Sequence, residues 1–233
     1  MIVVMIPTYN EKDTILTLCD ELLALDLDLN ILVVDDNSPD GTANIVKELS
    51  KRDKRVRCLL RTENRGRGYA GAAGFKKALE YNPEYIVEMD ADFSHNPKYV
   101  YDFVKAVKSL SADVVIGSRY VSSGKDEERS LIRKIISACA GFYLRIVLGI
   151  KANDPTSGFR LFTNRAVKEI LPKLRAKDPF IVTEILYYCY KYKMKVIEVP
   201  IQFEERRAGQ SKLNASILWR YLFNVWKLRL GIQ

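Results

Sequence analysis

The chain has few of the residues that build metal cages and reactive thiol sites. Its 233 residues include one histidine, His95, and four cysteines, Cys19, Cys58, Cys139 and Cys189, with no CxxC pair among them. That scatter argues against a zinc site and reads as reduced thiols of a cytosolic protein. No uninterrupted apolar run reaches the length of about 18 residues that a membrane-spanning helix needs. The run "IVVMIP" behind Met1 is too short for the core of a signal peptide. The glycines of "NRGRGYAGAAG" (64–74) include no P-loop lysine, and no GxGxxG follows the first strand-like run. An NTPase or a dinucleotide enzyme is therefore poorly supported. Repeats, low-complexity tracts and dividing linkers are also lacking, so one domain over 1–233 is expected.

What the chain does have is a core-forming composition and an excess of positive charge. It is 48% hydrophobic and 28% charged, with Lys+Arg 37 against Asp+Glu 29 and a net charge of +8. This composition excludes a disordered chain. The basic balance favours an anionic partner, whether nucleic acid, nucleotide, phospholipid or phosphorylated substrate, without choosing among them.

The first half alternates short apolar runs with amphipathic ones. Strands are predicted at 2–6, 31–35, 55–61, 85–90 and 112–119, and helices at 13–25, 41–51, 68–81 and 96–109. Such alternation predicts an α/β fold with a mostly parallel sheet covered by helices on both faces. Ligands in such sheets bind at the carboxyl ends of the strands. The segments there are "PTYNE", "DDNSPDG", "DADFSH" and "GSRY", all polar. The second half predicts a helix from 131 to 149, helices near 164–175 and 183–192, a strand at 195–201 and a last helix over 214–230.

Two of these segments carry chemistry. Asp90 and Asp92 flank Ala91 after the fourth strand, and residues two apart in an extended strand point to the same side. Paired carboxylates repel unless a cation sits between them, and a hard divalent ion, Mg²⁺ or Mn²⁺, suits oxygen ligands and leaves room for phosphate. Ser94 adds a hydroxyl or leaves the place to water. In "DDNSPDGT" (35–42) a turn with Asp40 or Thr42 as helix cap explains most residues, whereas Asp35 or Asp36 is placed to accept hydrogen bonds from a base.

Seven segments in order, "IPTYNE", "VVDDNSPDGT", "MDADFSHNP", "IGSRYV", "RKIIS", "DPTSGFRLF" and "RRAGQSKL", resemble the inverting GT-A glycosyltransferases of family two. Within that family the resemblance is to the dolichol-phosphate mannose synthases, or polyprenyl-phosphate mannosyltransferases, from residue 2 to about 213. It implies a GT-A, Rossmann-like fold with C-terminal interfacial helices, a nucleotide-binding half at about 1–120 and an acceptor-binding half at about 121–233. It implies that Pro7, Tyr9, Glu11, Val34 and Asp36 form the nucleotide pocket, with Asp36 on the base edge. Asp90, Ala91 and Asp92 become the DxD that holds Mg²⁺ or Mn²⁺ against the donor diphosphate, with Ser94 where many relatives have Gln. Arg119, Arg133, Ser137, Arg206 and Lys212 surround the acceptor's phosphate, and Asp92 and Arg119 carry the catalysis. Arg133 and Ser137 are four apart and share a helix face.

The implied reaction moves mannose from GDP-mannose to dolichyl or another polyprenyl phosphate, giving a β-mannosyl phosphate. The acceptor phosphate, with a second pKa near 6, is its own nucleophile. No general base is then required, His95 need not be catalytic, and Glu184 has no assigned role. A lipid acceptor implies a peripheral protein at the cytoplasmic face of a membrane. The helices at 131–149 and 217–232 combine apolar surface with Arg133, Lys134, Arg145, Arg220 and Lys227, which suits interfacial helices and equally suits core packing. Some members of that group carry transmembrane helices and others borrow them, which adds a membrane-anchoring partner subunit to the expected partners. Two rival readings stand beside this one. A UDP-sugar donor, UDP-glucose for example, would keep the mechanism. A non-enzymatic binder of nucleic acid or membrane would use the charge alone, but the basic residues are interleaved with acids, so nucleic acid is not an expected partner.

Overall fold

The computed structural model describes residues 1–122, 124, 131–203 and 215–232, with the backbone alone at 131–134 and 215–218. Seven strands form one sheet: β1 Ile2–Thr8, β2 Leu29–Asp35, β3 Val56–Leu60, β4 Tyr85–Glu88, β5 Val114–Ser118, β6 Arg160–Thr163 and β7 Val196–Pro200, in the order β3-β2-β1-β4-β6-β5-β7. The helices are α1 Lys12–Leu23, α2 Thr42–Arg52, α3 Arg67–Leu79, α4 Tyr99–Leu110, α5 Leu131–Leu148, α6 Asn164–Ile170, α7 Ile181–Lys191 and α8 Ala215–Leu230. A 3₁₀ turn, Leu171–Lys173, extends α6. All neighbouring strands run parallel except around β6, which is antiparallel to both β4 and β5. The strand β6 falls inside a segment with no strand expectation, because four residues between a proline-bearing turn and a helix show no alternation of their own.

The apolar strands are buried on both faces, as continuous hydrophobic runs in parallel sheets require. One face packs Ile15, Leu18, Val46, Val100 and Phe103 of α1, α2 and α4 against alternate residues of β1, β2 and β4. The other packs Phe75, Ala166, Ile181, Ile185, Leu144 and Val225 of α3, α6, α7, α5 and α8. Gly74 permits the closest of these approaches. A Cβ there would lie 2.7 Å from Met5 Sδ and 3.0 Å from Val34 Cγ2. The sheet order places the carboxyl ends of β1, β2 and β4 side by side, and the site lies there.

Candidate active site

Three backbone bonds join the loops that leave β1 and β2. Asn10 N donates to Ser38 Oγ at 3.0 Å, Glu11 N to Thr42 Oγ1 at 3.0 Å and Lys12 N to Asp40 Oδ2 at 3.0 Å. Asp40 also accepts from Thr42 N at 2.9 Å and Thr42 Oγ1 at 2.7 Å, so it caps the start of α2 one residue ahead of the left-handed Gly41. Burial alone pushes the Asp40 carboxyl up, but these hydrogen bonds and Lys12 outweigh it and hold the group below its ordinary value.

The two acids at the end of β2 divide their work. Asp35 is fully buried and accepts from Thr8 Oγ1 at 2.9 Å, Ser38 N at 2.8 Å and Ser38 Oγ at 2.6 Å. It fastens the turn. Asp36 lines the cavity, where it accepts from Arg61 and, at 2.6 Å, from Gly66 N at the start of α3.

That cavity, of about 650 Å³, is bordered by Pro7, Tyr9, Glu11, Asp36, Asp90, Ala91 and Asp92. Thr8, Arg65, Gly66, Arg67, Ala70, Thr156, Gly158, Pro179 and Val182 complete its border. It therefore gathers residues from four of the seven motif segments. The remaining candidates lie elsewhere. Val34 is fully buried in β2 against Gly74, beneath the cavity rather than on its border. Ser94 is buried and donates to Asp92 Oδ1 from its hydroxyl at 2.6 Å and its backbone at 3.1 Å, steadying that carboxylate. Ser137 is half-buried on α5. The Arg133 side chain, Arg206 and Lys212 lie outside the described residues.

Asp90 and Asp92 are brought together by a bend, not by a continuing strand. β4 ends at Glu88, and Phe93 has a positive φ of 64°. The strand expected over 85–90 forms at 85–88, Met89 N still donates to Met5 O at 3.2 Å, and the chain bends over 91–95. His95 holds this bend: its Nδ1 accepts from Asp90 N at 3.1 Å, and its ring stacks on Phe159 with centroids 4.9 Å apart. Asp92 is buried, whereas the Asp90 side chain is 35% exposed with Arg67 Nη2 at 3.7 Å.

Arg119 is buried behind the cavity. Its Nε and Nη2 donate to Asp154 Oδ2 and Oδ1, both at 2.7 Å, and Nη2 also reaches Thr156 Oγ1 at 2.8 Å. Thr156 in turn borders the cavity. Burial pushes Asp154 up, but the hydrogen bonds and charge of Arg119 dominate and hold it below its ordinary value.

Several residues of this site carried no sequence signal. Arg67 donates to buried Glu88 at 2.8 Å, directly under the cavity. Both sit in stretches read for glycine content or for strand propensity alone. Glu88 in an otherwise apolar strand was the available clue. Arg160 pairs in register with Glu88, is fully buried, and donates to Val182 O at 2.6 Å and Pro155 O at 2.9 Å. Among the described residues no group of three or more His, Cys, Asp and Glu side chains gathers to form a closed metal cage.

The sequence profile described as Glycosyl transferase family 2 matches residues 3–171. The chain belongs to glycosyl transferase family 2. An undecaprenyl-phosphate mannosyltransferase of Micrococcus luteus is 36% identical over 233 residues, covering 100% of this chain and 95% of that protein. A polyprenol monophosphomannose synthase of Mycolicibacterium smegmatis is 36% identical over 230 residues, covering 97% and 86%. Among solved structures, glucosyl-3-phosphoglycerate synthase from Mycobacterium tuberculosis with Mn²⁺, UDP-glucose and glycerol 3-phosphate aligns with a TM-score of 0.72 at 18% identity, covering 100% of this chain and 81% of that one. The same enzyme with Mg²⁺ and UDP aligns at 0.71 and 17%, covering 100% and 80%. This family-two glycosyltransferase thus has a GT-A-like fold.

Proposed function

We propose that this glycosyltransferase transfers mannose from GDP-mannose to a polyprenyl phosphate such as dolichyl phosphate, at the cytoplasmic face of a membrane, with a divalent metal. The observation that carries the reading is the near-full-length similarity to two proteins named for mannosyl transfer to a polyprenyl phosphate. The cavity adds support, because its border holds both carboxylates of the DxD and the first-loop residues Pro7, Tyr9 and Glu11.

The donor set fits a hard cation. Asp90 and Asp92 offer oxygen atoms only, and two carboxylates completed by water and phosphate oxygens is the usual way Mg²⁺ or Mn²⁺ is held. Asp90, Asp92 and, through Asp92, Ser94 are the residues that would hold it. When bound, the ion supplies charge neutralisation for a leaving diphosphate.

The chain's own residues then do three things. The joined loops of β1 and β2 fix the nucleotide wall, with Asp36 at the end where a base is read. Arg119, immobilised by Asp154, sets Thr156 at the cavity's border. Arg133, Arg206 and Lys212 would supply positive charge for the acceptor phosphate, and Ser137 a hydroxyl donor. A phosphate oxygen attacks the anomeric carbon as the bond to the diphosphate oxygen breaks, the configuration inverts, and GDP leaves. Since the nucleophile is already an anion near neutral pH, positioning and charge stabilisation suffice.

The test is transfer of labelled sugar to a polyprenyl phosphate from GDP-mannose and UDP-glucose side by side, with Mg²⁺ or with EDTA. Chelation and Asp92→Ala are each expected to cost at least ~10²-fold in rate. Transfer from UDP-glucose alone would overturn the mannose assignment, and undiminished turnover in EDTA would overturn the metal.

A further inference from the structure

A second cavity, of about 660 Å³, lies on the α7 side of the molecule and shares no bordering residue with the first. It runs along one face of α7, from Phe180 through Glu184 and Tyr188 to Lys191 and Tyr192, and is closed by the 173–178 loop and by α8. Its border is cationic: Lys173, Arg175 and Lys177 come from the loop, Lys191 from α7 and Lys227 from α8. The acids of the same border, Asp178 and Glu184, are committed to backbone. Glu184 accepts from Arg175 N at 2.9 and 3.0 Å and from Ala176 N at 2.8 Å, and Asp178 Oδ1 accepts from Phe180 N at 2.8 Å. Among the described residues none of the five cations is in an ion pair.

The cavity's α8 wall adjoins apolar surface. Leu228 and Ile232 border it, Ile232 is exposed, and Trp219, Phe223, Trp226 and Leu230 form an exposed stripe along the same helix at spacings of four, three and four. A concave cluster of cations beside an exposed tryptophan-bearing helix face meets two requirements of an interfacial lipid together. The cations take the anionic phosphate, and the helix face takes the acyl region. A soluble anion would need only the first.

We propose that this groove binds the phosphate head group of an anionic bilayer lipid, as a membrane-docking site separate from the transfer site. The inference concerns binding alone and stands whether or not the sugar donor is correctly assigned. Lys191 of α7 and Lys227 of α8 border the groove from two different helices, and Lys227 also lies over the ring of Phe223 in the exposed stripe, 5.2 Å from its centroid.

The experiment is co-sedimentation of the full chain with vesicles of phosphatidylcholine containing or lacking phosphatidylglycerol. Binding is expected only with phosphatidylglycerol. Lys191→Ala with Lys227→Ala should weaken it on the order of tenfold, since each basic residue near an anionic surface contributes a several-fold factor. The control, Lys47→Ala with Lys105→Ala, removes the same charge from exposed positions on α2 and α4 and should leave binding within about twofold of the unchanged protein. Equal weakening by both pairs would overturn the site in favour of net charge. Full displacement from vesicles by millimolar glycerol phosphate would overturn the lipid as the ligand and point to a soluble phosphate. Calorimetric titration of GDP into the groove variant, expected unchanged, verifies that the loss is not misfolding.

Discussion

The two cavities beside α7 show two ways of using charge. Around the first, most polar groups described above are paired within the protein: Asp35 with Thr8 and Ser38, Asp36 with Arg61 and Gly66, Glu88 with Arg67, Asp154 with Arg119, while Arg67 Nη1, Glu88 Oε2 and Arg160 Nε are buried without a hydrogen-bond partner among the described residues. Around the second, along α7 from Phe180 to Tyr192, five cations border a groove whose acids are already bonded to backbone, and α5 and α8 leave Phe142, Ile146, Trp219 and Phe223 exposed. The first region is preorganised before any ligand arrives, as a site that stabilises developing charge must be. The second holds charge and apolar surface in reserve for something outside the chain. A soluble domain gains nothing from such reserve, so its presence is itself information about the surroundings in which the enzyme works.

The preorganised region should break hardest at its most buried pair. Asp154→Asn leaves the Arg119 guanidinium buried without its counter-charge, a change that typically costs about 3–5 kcal/mol. In a chain of this size that corresponds to a fall in melting temperature on the order of 10 °C. The pH dependence has a definite sign. Because Arg119 holds the Asp154 carboxyl below its ordinary value, the pair's stabilisation is present above the unfolded carboxyl's pKa of about 3.9 and is lost as pH falls through the lower folded value. Thermal melts of the unchanged protein and the variant, compared at neutral pH and at an acid pH below about 3.9, should therefore draw closer in acid. Parallel melts at both pH values would show that the pair is not what stabilises this region.

A smaller loss is expected where the two regions meet. Gly68, in the first turn of α3, lies against the 173–178 loop, and a Cβ there would sit 2.2 Å from Ala176 O and 2.6 Å from Lys177 C. Both obstacles are backbone, so Gly68→Ala forces the loop away at a cost of about 1–3 kcal/mol. This loop borders the cationic groove and its neighbour Pro179 borders the first cavity, so donor affinity and vesicle binding should weaken together. Measuring both on one variant sharpens the comparison: a loss in one alone would show that the regions are independent.

Hydrophobic periodicity made the sheet and its helices legible in the sequence, because parallel strands buried on both faces advertise themselves as apolar runs. It did not reveal β6, whose four residues take their strand character from antiparallel pairing with β4 and β5, a contact distant in sequence. The motif segments were legible as loops at strand ends, and ten of their residues do border one cavity. The partners of those residues were not. Nothing in the spacing connects Arg119 to Asp154, 35 positions away, or Arg67 to Glu88, 21 positions away. Both pairings depend on the order of strands in the sheet. Likewise α5 and α8 fitted interfacial and core helices equally well, and each packs one face on the core and leaves apolar residues exposed on another. Leu144, Leu148 and Val225 pack on the core while the opposite faces remain exposed.

That division of α8 sets the smallest effect on folding. Phe223 is 62% exposed and Trp226 is 52% exposed, so replacing both by serine removes little buried surface. Serine has nearly the same intrinsic helix propensity as phenylalanine and tryptophan, which leaves the helix itself almost unchanged. Stability in solution should move by no more than about 0.5 kcal/mol, the usual range for surface substitutions. Binding to vesicles should nevertheless fall, because each aromatic ring buried at an interface contributes about 1.5–3 kcal/mol when fully desolvated and a fraction of that here. The informative quantity is the ratio of the two effects. A variant that melts much earlier and binds vesicles as before would make the stripe part of the fold, and the contrast between an internally paired site and an exposed docking surface would not survive it.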